Sequence, residues 1–286
     1  MRYGVYLPNF GPLADVGLLV ALAGEAEAAG WDGFFLWDHL AGWDSDCADI
    51  TVALAAVAMA TERLRFGPLV TPLPRRRPQK VARETVSLDR ISGGRLVFGV
   101  GTGDGPAEWA DLGEQTDQRI RAAMLDEGLE VLRGLWSGEP MEHAGAHYTV
   151  RGHFAPPVQS PRIPVWVAGV WPGRRPFERA ARWDGVFPIG RDTGFDAMMA
   201  AEDIAAVVAT VSAHRADAAG PFDVVHWGVS PAGPDDPTAH VAAYAAAGAT
   251  WWLENIGPWP YGWSGSGEWP LAAMRRRLGQ GPPLTG

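Results

Sequence analysis

Short apolar runs alternate with longer segments of helical period along the whole chain. The runs predict strands of a parallel sheet, because their residues are almost continuously apolar, as expected when both faces of a sheet are covered. The predicted strands are Arg2–Leu7, Gly33–Leu36, Arg65–Val70, Leu96–Val100, Val165–Ala168, Gly185–Pro188, Val224–Val229 and Thr250–Glu254.

The longer segments between these runs predict helices. Gly30 and Gly93-Gly94 follow two of them, where a left-handed C-cap favours a residue without Cβ. The predicted helices are Val16–Ala29, Asp49–Ala60, Pro78–Ile91, Ile120–Leu135, Pro176–Ala181, Asp196–His214, Pro237–Ala247 and Leu271–Leu278. Eight strand–helix units without a linker predict an α/β fold, specifically a (β/α)8 TIM barrel. Residues 1–286 are expected to form this barrel as a single domain. An inserted loop or short hairpin is expected around 137–164. A doubly wound open sheet is the alternative, because strand count alone does not prove closure.

Composition narrows the class of partner. The 286 residues are 47% hydrophobic and carry a formal net charge of −9, which offers no broad attraction to nucleic acid or acidic membranes. No run approaches the roughly 20 apolar residues that a membrane span requires. The single cysteine, Cys47, fits a reducing compartment, and the N-terminus lacks the pattern of a signal peptide, so a cytoplasmic protein is expected.

Functional groups of such a barrel belong where strands end and the following loops begin. The 14 tryptophans recur at these positions, among them Trp43, Trp227 and Trp259. Flat aromatic walls with a few polar groups suit a planar cofactor or substrate. The alternative is that the indoles fill a large core.

The segment "LWDHLAGW" at 36–43 places Asp38 and His39 directly after a predicted strand. A histidine beside a carboxylate can exchange a proton near neutral pH, so His39 is the better candidate for an acid or base. The alternative is a capping Asp38 with His39 packed on an indole. No metal site is expected, because no His-x-His or His-x3-His pair lies on a predicted strand or helix.

Two further segments offer candidate binding groups. The run "GVGTGDG" at 99–105 fails the dinucleotide fingerprint, but its alternating glycines let the backbone approach a ring or phosphate closely. Asp104 in this run is a second candidate acid or base, or simply a turn residue. In "VAGVWPGRRPFERAAR" at 167–182, a strand ends in glycine and a helix begins beside Arg174 and Arg175, which suits an anion.

The linked motifs "GWDGFFLWDHL", "LDRISGGRLVFGVGTG" and "PVWVAGVWPGRRPFERAARWDGVFP" resemble the luciferase-like monooxygenase superfamily of flavin- and deazaflavin-dependent oxidoreductases. The resemblance implies a (β/α)8 barrel that binds coenzyme F420 (a deazaflavin) or FMN. It implies that His39 is the acid or base over the ring and that Asp104 and Asp38 assist it. It also implies a non-prolyl cis peptide near Pro68, Leu69 and Val70 that buttresses the ring.

The resemblance extends to binding residues. Cofactor phosphate is expected at Thr102-Gly103 and around Ala168, Gly169 and Val170, with Arg174 beside them. The resemblance places the substrate against Trp43, and Trp109, Trp227 and Trp259 are further candidate walls for the substrate. Relatives are often dimers, so a homodimer is an expectation by analogy.

The expected function is therefore hydride transfer between a (deaza)flavin and a small organic substrate. If the cofactor is FMN, oxygen activation for monooxygenation is the corresponding reaction. Two alternatives remain from the sequence: a non-catalytic flavin-binding protein, and a barrel glycoside hydrolase that uses Asp104 and Glu254 as paired carboxylates.

Overall fold

The computed structural model describes residues 1–41, 45–105, 107–191, 198–217, 220–230 and 237–283. Nine strands of the described chain form one sheet, and two more form a separate hairpin. The sheet strands are β1 (Arg2–Leu7), β2 (Gly33–Leu36), β3 (Arg65–Pro68), β4 (Thr71–Pro72), β5 (Phe98–Gly101), β8 (Val165–Trp171), β9 (Gly185–Gly190), β10 (Asp223–Gly228) and β11 (Trp251–Asn255). The hairpin strands are β6 (Met141–Ala144) and β7 (Thr149–Gly152).

The sheet closes on itself as an eight-stranded parallel barrel. Its order is β3-β2-β1-β11-β10-β9-β8-β5-β4. β3 and β4 are two parts of one barrel strand: β3 pairs with β2, and β4 pairs with β5 through Thr71 and Val100. The Val97 N–H also donates to the Phe66 carbonyl at 2.9 Å, which joins the base of this strand to the strand that follows. The predicted TIM barrel is confirmed, and the open sheet is wrong.

The predicted third strand, Arg65–Val70, is interrupted where the resemblance places a special peptide. β3 ends at Pro68, the Leu69–Val70 peptide bond is cis, and the strand resumes at Thr71. The Leu69 N–H still donates to the Leu36 carbonyl at 2.6 Å, so the chain remains attached to β2 across the interruption. The strand therefore presents Leu69 and Val70 at the C-terminal mouth of the barrel.

Helices cover the outside of the barrel: α1 (Val16–Ala28), α2 (Ile50–Ala60), α3 (Pro78–Ile91), α4 (Ala107–Ala110), α5 (Gln118–Trp136), α6 (Arg174–Ala180), α7 (Ala201–Ser212), α8 (Pro237–Ala246) and α9 (Leu271–Gly279). Side chains of Asp15, Asp49 and Asp117 cap α1, α2 and α5 by accepting backbone N–H groups of the first turn. Within the described ranges, no helix combines the length and the apolar character needed to cross a bilayer.

Some boundaries differ from the predicted ones. α6 begins at Arg174, ahead of Pro176, because the first N–H groups of a helix have no partner inside it and a proline is tolerated there. α7 begins at Ala201, five residues after the predicted start at Asp196, which lies outside the described residues. The four-residue helix α4 was not predicted, and it carries a residue of the site described below.

Two apolar cores hold the barrel. One lies inside it and includes Trp166, Phe187, Trp227 and Trp251. The larger one lies between the strands and the surrounding helices and contains Trp136 and Trp252. Several tryptophans therefore fill the core, while others remain at the mouth of the barrel.

The segment 137–164 contains an antiparallel hairpin, as the loop-or-hairpin prediction allowed. Glu127 on α5 anchors it by accepting hydrogen bonds from His143 Nε2 at 3.0 Å and from the Tyr148 N–H at 2.7 Å. No group of three or more His, Cys, Asp or Glu among the described residues is arranged to hold a metal ion.

Candidate functional site

A cavity of about 370 Å³ opens at the C-terminal mouth of the barrel. Every barrel strand contributes at least one residue to its lining, from its C-terminal end or from the loop that follows. One contributor from each strand in chain order is Tyr6, His39, Val70, Asp104, Val170, Ile189, Trp227 and Asn255. The lining is mostly apolar, with a few polar groups at one side, which is the usual character of a small-molecule site.

Asp38 and His39 enter this cavity from the end of β2, and Asn9 fixes their backbone. The Asn9 side chain donates to the His39 carbonyl at 2.9 Å and accepts the His39 N–H at 3.1 Å. The same amide donates to the Ala48 carbonyl at 2.8 Å, so the loop after β2 is tied at both ends. Asn9 is fully buried.

The Asp38 carboxylate faces two donors rather than open solvent. Arg76 donates to both of its oxygens, at 2.6 and 2.8 Å, and the Thr71 hydroxyl donates to Oδ2 at 2.7 Å. The Asp38 side chain is only 1% exposed. Its part in the site is therefore to fix the loop, because both oxygens are already hydrogen-bonded.

The carboxylate that contacts His39 belongs to Glu108, on α4. Glu108 Oε1 lies 3.1 Å from His39 Nδ1 and also accepts the N–H groups of Leu40 at 2.8 Å and Ala41 at 3.1 Å. Since an ionised carboxylate can only accept, the Nδ1 position of His39 carries the proton and Nε2 of the neutral ring carries the lone pair. The histidine is thus held in the tautomer of a base.

Arg75 joins Glu108 to the backbone of the loop after β2, beneath the histidine. Its guanidinium donates to Glu108 Oε2 at 2.9 Å and to the Asp38 carbonyl at 3.0 Å, and its side chain is 2% exposed. Burial would raise the pKa of Glu108, but the hydrogen bonds from His39, the Ala41 amide and Arg75 lower it to about 2. Glu108 is therefore ionised near neutral pH.

Asp104 was expected to be the acidic partner of His39, and the structure places it differently. Asp104 is exposed at the edge of the cavity, and the carboxylate that lies 3.1 Å from His39 Nδ1 belongs to Glu108 instead. The chain turns at Gly103, whose φ of +76° favours glycine, and Glu108 comes back towards His39 one helical turn after Asp104. The acid and the histidine are 69 residues apart in sequence, so local pattern did not reveal the pair.

The expected cofactor residues fall into two groups. Leu69, Val70, Gly103 and Val170 line the cavity. Pro68, Thr102, Ala168, Gly169 and Arg174 do not line it. Pro68 and Gly169 are buried, and a Cβ at Gly169 would meet Pro176 at 2.4 Å, so this glycine lets α6 approach β8 closely. Arg174 is exposed in the first turn of α6, where its Nε lies 2.5 Å from Glu178 Oε1.

The tryptophans expected to line the substrate pocket also fall into different groups. Trp227 lines the cavity, and Trp259 stacks on the lining residue Trp37 with ring centroids 5.6 Å apart. Trp109 is 1% exposed and stays outside the lining, because its ring packs against Gly103 and beneath the Arg121 guanidinium. Trp43 lies outside the described residues.

Glu254 is not available as a catalytic carboxylate. It is fully buried on β11, accepts the Ser230 hydroxyl at 2.6 Å and the Trp252 indole N–H at 2.9 Å, and pairs with Arg277 at 3.2 Å. It is also absent from the cavity lining. The glycoside hydrolase hypothesis, which paired Asp104 with Glu254, is wrong on this geometry.

Comparison with known proteins agrees with the barrel. The sequence profile of the luciferase-like monooxygenase family matches residues 1–254. Similar proteins include F420-dependent glucose-6-phosphate dehydrogenases from Gordonia bronchialis and Mycolicibacterium fortuitum, each 34% identical over 160 residues. These matches cover 54% of this chain and 47% and 48% of the two relatives, so the chain matches about half the length of each.

Solved structures show the same fold at low sequence identity. An F420-dependent secondary alcohol dehydrogenase in complex with an F420-acetone adduct is 17% identical, with a TM-score of 0.73 over 90% of this chain and 94% of that one. The monooxygenase RslO1 from Streptomyces bottropensis is 22% identical, with a TM-score of 0.70 over 86% of this chain and 76% of that one. With a profile match over most of its length, the chain belongs to the luciferase-like monooxygenase family.

Proposed function

We propose that this protein is an oxidoreductase that transfers hydride between a (deaza)flavin and a small organic alcohol or carbonyl compound. F420 is the first candidate cofactor and FMN the second. The observation that carries the proposal is the His39–Glu108 pair, which lies in the lining of a mostly apolar cavity. The names of the relatives and the family match support the same reaction class.

The cavity suits a flat ring. Its volume of about 370 Å³ falls in the usual range for small-molecule sites, and aromatic and aliphatic side chains from opposite strands form its walls. Leu69 and Val70 on one side and Val170 and Ile189 on the other would hold the ring. Gly103 and Gly105 leave backbone exposed to a phosphate or ring edge, because neither has a side chain in the way.

A bound deazaflavin supplies a two-electron hydride acceptor or donor that reacts poorly with oxygen, whereas reduced FMN can also activate oxygen. The protein's own residues manage the proton. In alcohol oxidation, Nε2 of His39 would take the hydroxyl proton, and Glu108 would stabilise the imidazolium that forms. Arg75 and Asn9 would keep both groups in register, since they bind the carboxylate and the histidine backbone directly.

Titration of the purified protein with F420 and with FMN tests the proposal. Saturable binding of at least one cofactor at micromolar concentration is expected, followed by reduction of the bound ring by an alcohol. The variant H39A should lower turnover about 10²-fold and leave cofactor affinity nearly intact, because His39 acts on the proton. Exposed His147 offers a matched control, since H147A makes the same change far from the cavity. If neither cofactor binds, or if H39A turns over at the wild-type rate, the proposal fails.

We also propose a homodimer in the cytoplasm. Thr51 is the one polar residue of α2, and the outward face of the helix exposes 59% of Val52 and 73% of Met59. A helix with no polar face is normally covered. Light scattering should give the mass of a dimer for the wild type and of a monomer for the double variant V52E/M59E. A wild-type protein that is monomeric would contradict the proposed dimer. Cell fractionation tests the proposed cytoplasmic location separately.

A further inference from the structure

A second cavity, of about 290 Å³, opens at the N-terminal end of the barrel, opposite the candidate active site. It lies between the end of α1 and the first residues of β1, β3 and β11. Its described lining shares no residue with the cavity at the mouth. The lining residues are Arg2, Glu27, Gly30, Trp31, Asp32, Arg63, Arg65 and Trp251.

Strand register directs two of these arginines to the inside of the barrel. Arg65 is the register partner of Gly33, and Gly33 is the partner of Gly4. Arg2 precedes Gly4 by two residues, so all four positions share one face of the sheet. A Cβ at Gly33 would meet the ring of Trp251, which belongs to the core inside the barrel. Arg2 and Arg65 therefore lie below that core and point into the second cavity.

The guanidinium groups of this cavity lack carboxylate partners. Within the described chain, no carboxylate lies at ion-pair distance from Arg2, Arg63 or Arg65. The Arg2 guanidinium lies over the Trp251 ring, 5.5 Å from its centroid, and Arg65 donates to Gln159 Oε1 at 3.1 Å. Arg63 donates to a backbone carbonyl of α1 at 3.4 Å. Because a guanidinium has five N–H donors, most of the donors here remain available.

The two carboxylates in the lining are bound to backbone instead. Glu27 accepts the N–H groups of Arg63 at 2.6 Å and of Leu64 at 3.0 Å, and Asp32 accepts the Tyr3 N–H at 2.8 Å. Burial would raise the pKa of Glu27, but these backbone hydrogen bonds lower it. Both carboxylates thus have partners of their own, and neither neutralises the arginines.

The arginines also repel one another. Burial lowers the pKa of Arg65, and the charge of Arg2 lowers it further, whereas Asp223 and Asp89 act in the opposite direction. Asp223 is itself engaged, because its carboxylate accepts the indole N–H of Trp251 at 3.2 Å. An anion between the guanidinium groups would relieve this repulsion and use their free donors.

The shape of the lining limits the class of anion. Trp31 and Trp251 are 4% and 0% exposed, so neither offers an open ring face on which a base could stack. Recognition therefore falls to the guanidinium groups, which come from β1, β3 and the loop before β3. A phosphoryl group has acceptor oxygens on several sides and suits arginines from separate segments, whereas the two oxygens of a carboxylate lie in one plane.

We propose that the N-terminal end of the barrel binds a phosphoryl-containing anion through Arg2, Arg63 and Arg65. The bound anion joins β1 to β3 and stabilises the fold. The inference goes beyond the proposed function and does not rest on it, because the two cavities have no described lining residue in common.

Calorimetric titration of the cofactor-free protein with pyrophosphate tests the inference. Saturable binding at one site is expected, and R2Q and R65Q should each weaken it at least about 10-fold, because each removes charge-assisted hydrogen bonds. R119Q is the matched control, since Arg119 is exposed on α5 and lies outside both linings. Circular dichroism checks that each variant is folded, and exposed Arg2 provides a variant that leaves the core intact.

Thermal unfolding gives a second readout. Pyrophosphate at 100 times its dissociation constant should raise the Tm of the wild type by about 5 °C. At the same concentration, the shift should be about half as large or smaller in R2Q and R65Q, and unchanged in R119Q.

Two further arms identify the site and the source of the phosphoryl group. R191Q changes the arginine in the lining of the mouth. If R191Q abolishes pyrophosphate binding while R2Q and R65Q retain it, the anion binds at the mouth and the inference is overturned, as it also is if no saturable binding occurs. Adenosine diphosphate should bind no more tightly than pyrophosphate, because no ring face is open; tighter binding would contradict the assigned class. Failure of F420 and FMN to bind would overturn only the proposed function.

Discussion

His226 should make the free energy of unfolding depend on pH. It lies on β10 and is 1% exposed, stacked on Tyr244 with ring centroids 4.6 Å apart and edge-on to Trp252. Neither of its ring nitrogens has a hydrogen-bond partner among the described residues. Burial, together with the nearby His240, lowers the pKa of His226 from 6.5 to about 3.

The sign of the effect follows from proton binding. Between pH 3 and 6.5 the unfolded chain binds this proton and the folded chain does not, so acid favours unfolding. Stability is therefore fully present above pH 6.5 and is lost as the pH falls. With these two pKa values, His226 removes about 2 kcal/mol of the free energy of unfolding between pH 7.5 and pH 5.

The substitution H226F isolates this contribution. Phenylalanine keeps a planar ring against Tyr244 and Trp252 but cannot be protonated, and it removes two buried polar atoms without partners. The variant should be more stable than the wild type by about 1 kcal/mol at pH 7.5 and by about 3 kcal/mol at pH 5.

Urea unfolding followed by tryptophan fluorescence, at pH 7.5, 6 and 5 and constant ionic strength, measures both differences. H147F serves as the matched control, because His147 is exposed on the hairpin and the substitution should not change the pH dependence. If the wild type and H226F lose stability in parallel, the reasoning is refuted, because the histidine would then be charged or solvated in the folded protein.

Three further substitutions test the network around the cavity. E108Q removes the ionised acceptor of the His39 Nδ1–H, so turnover should fall about 10-fold; unchanged turnover would contradict the pairing. D38N leaves Arg76 without its anionic partner and should cost about 3 kcal/mol in urea unfolding, and a cost below about 0.5 kcal/mol would show that the pair is not structural. E254Q should cost a similar amount while preserving activity per folded molecule, whereas a catalytic Glu254 would lose activity.

The sequence predicted the barrel well because its signals are local. Each strand is a short apolar run, and Gly30 and Gly93-Gly94 mark the ends of two helices. His39 is a candidate for a similarly local reason: it directly follows a predicted strand and stands beside a carboxylate in the sequence. The interruption at Leu69–Val70 was expected only from the family resemblance, because the residues themselves predict an uninterrupted strand.

The sequence did not identify the carboxylate that pairs with His39. Asp104 follows the glycine run directly and was chosen for that reason, whereas Glu108 lies on the four-residue helix α4, which is too short to leave a periodic signal. Nothing in the local sequence marks Arg75 as part of the site, yet its side chain is buried beneath it. Such pairs depend on which loops meet in three dimensions, and one sequence does not encode that locally.

The two halves of the barrel contribute different kinds of side chain to the cavity. The groups proposed to handle or orient a proton, His39 and Glu108 with Arg75 and Asn9, come from the first half of the barrel, and each is held by hydrogen bonds from another element. Strands β8 to β10 contribute mainly apolar surface, including Trp227. Because the buried ions are paired among themselves, changing an apolar wall need not break an ion pair. If the proposed function holds, substitutions in the apolar second half of the barrel should change substrate choice while leaving the proton chemistry of the first half intact.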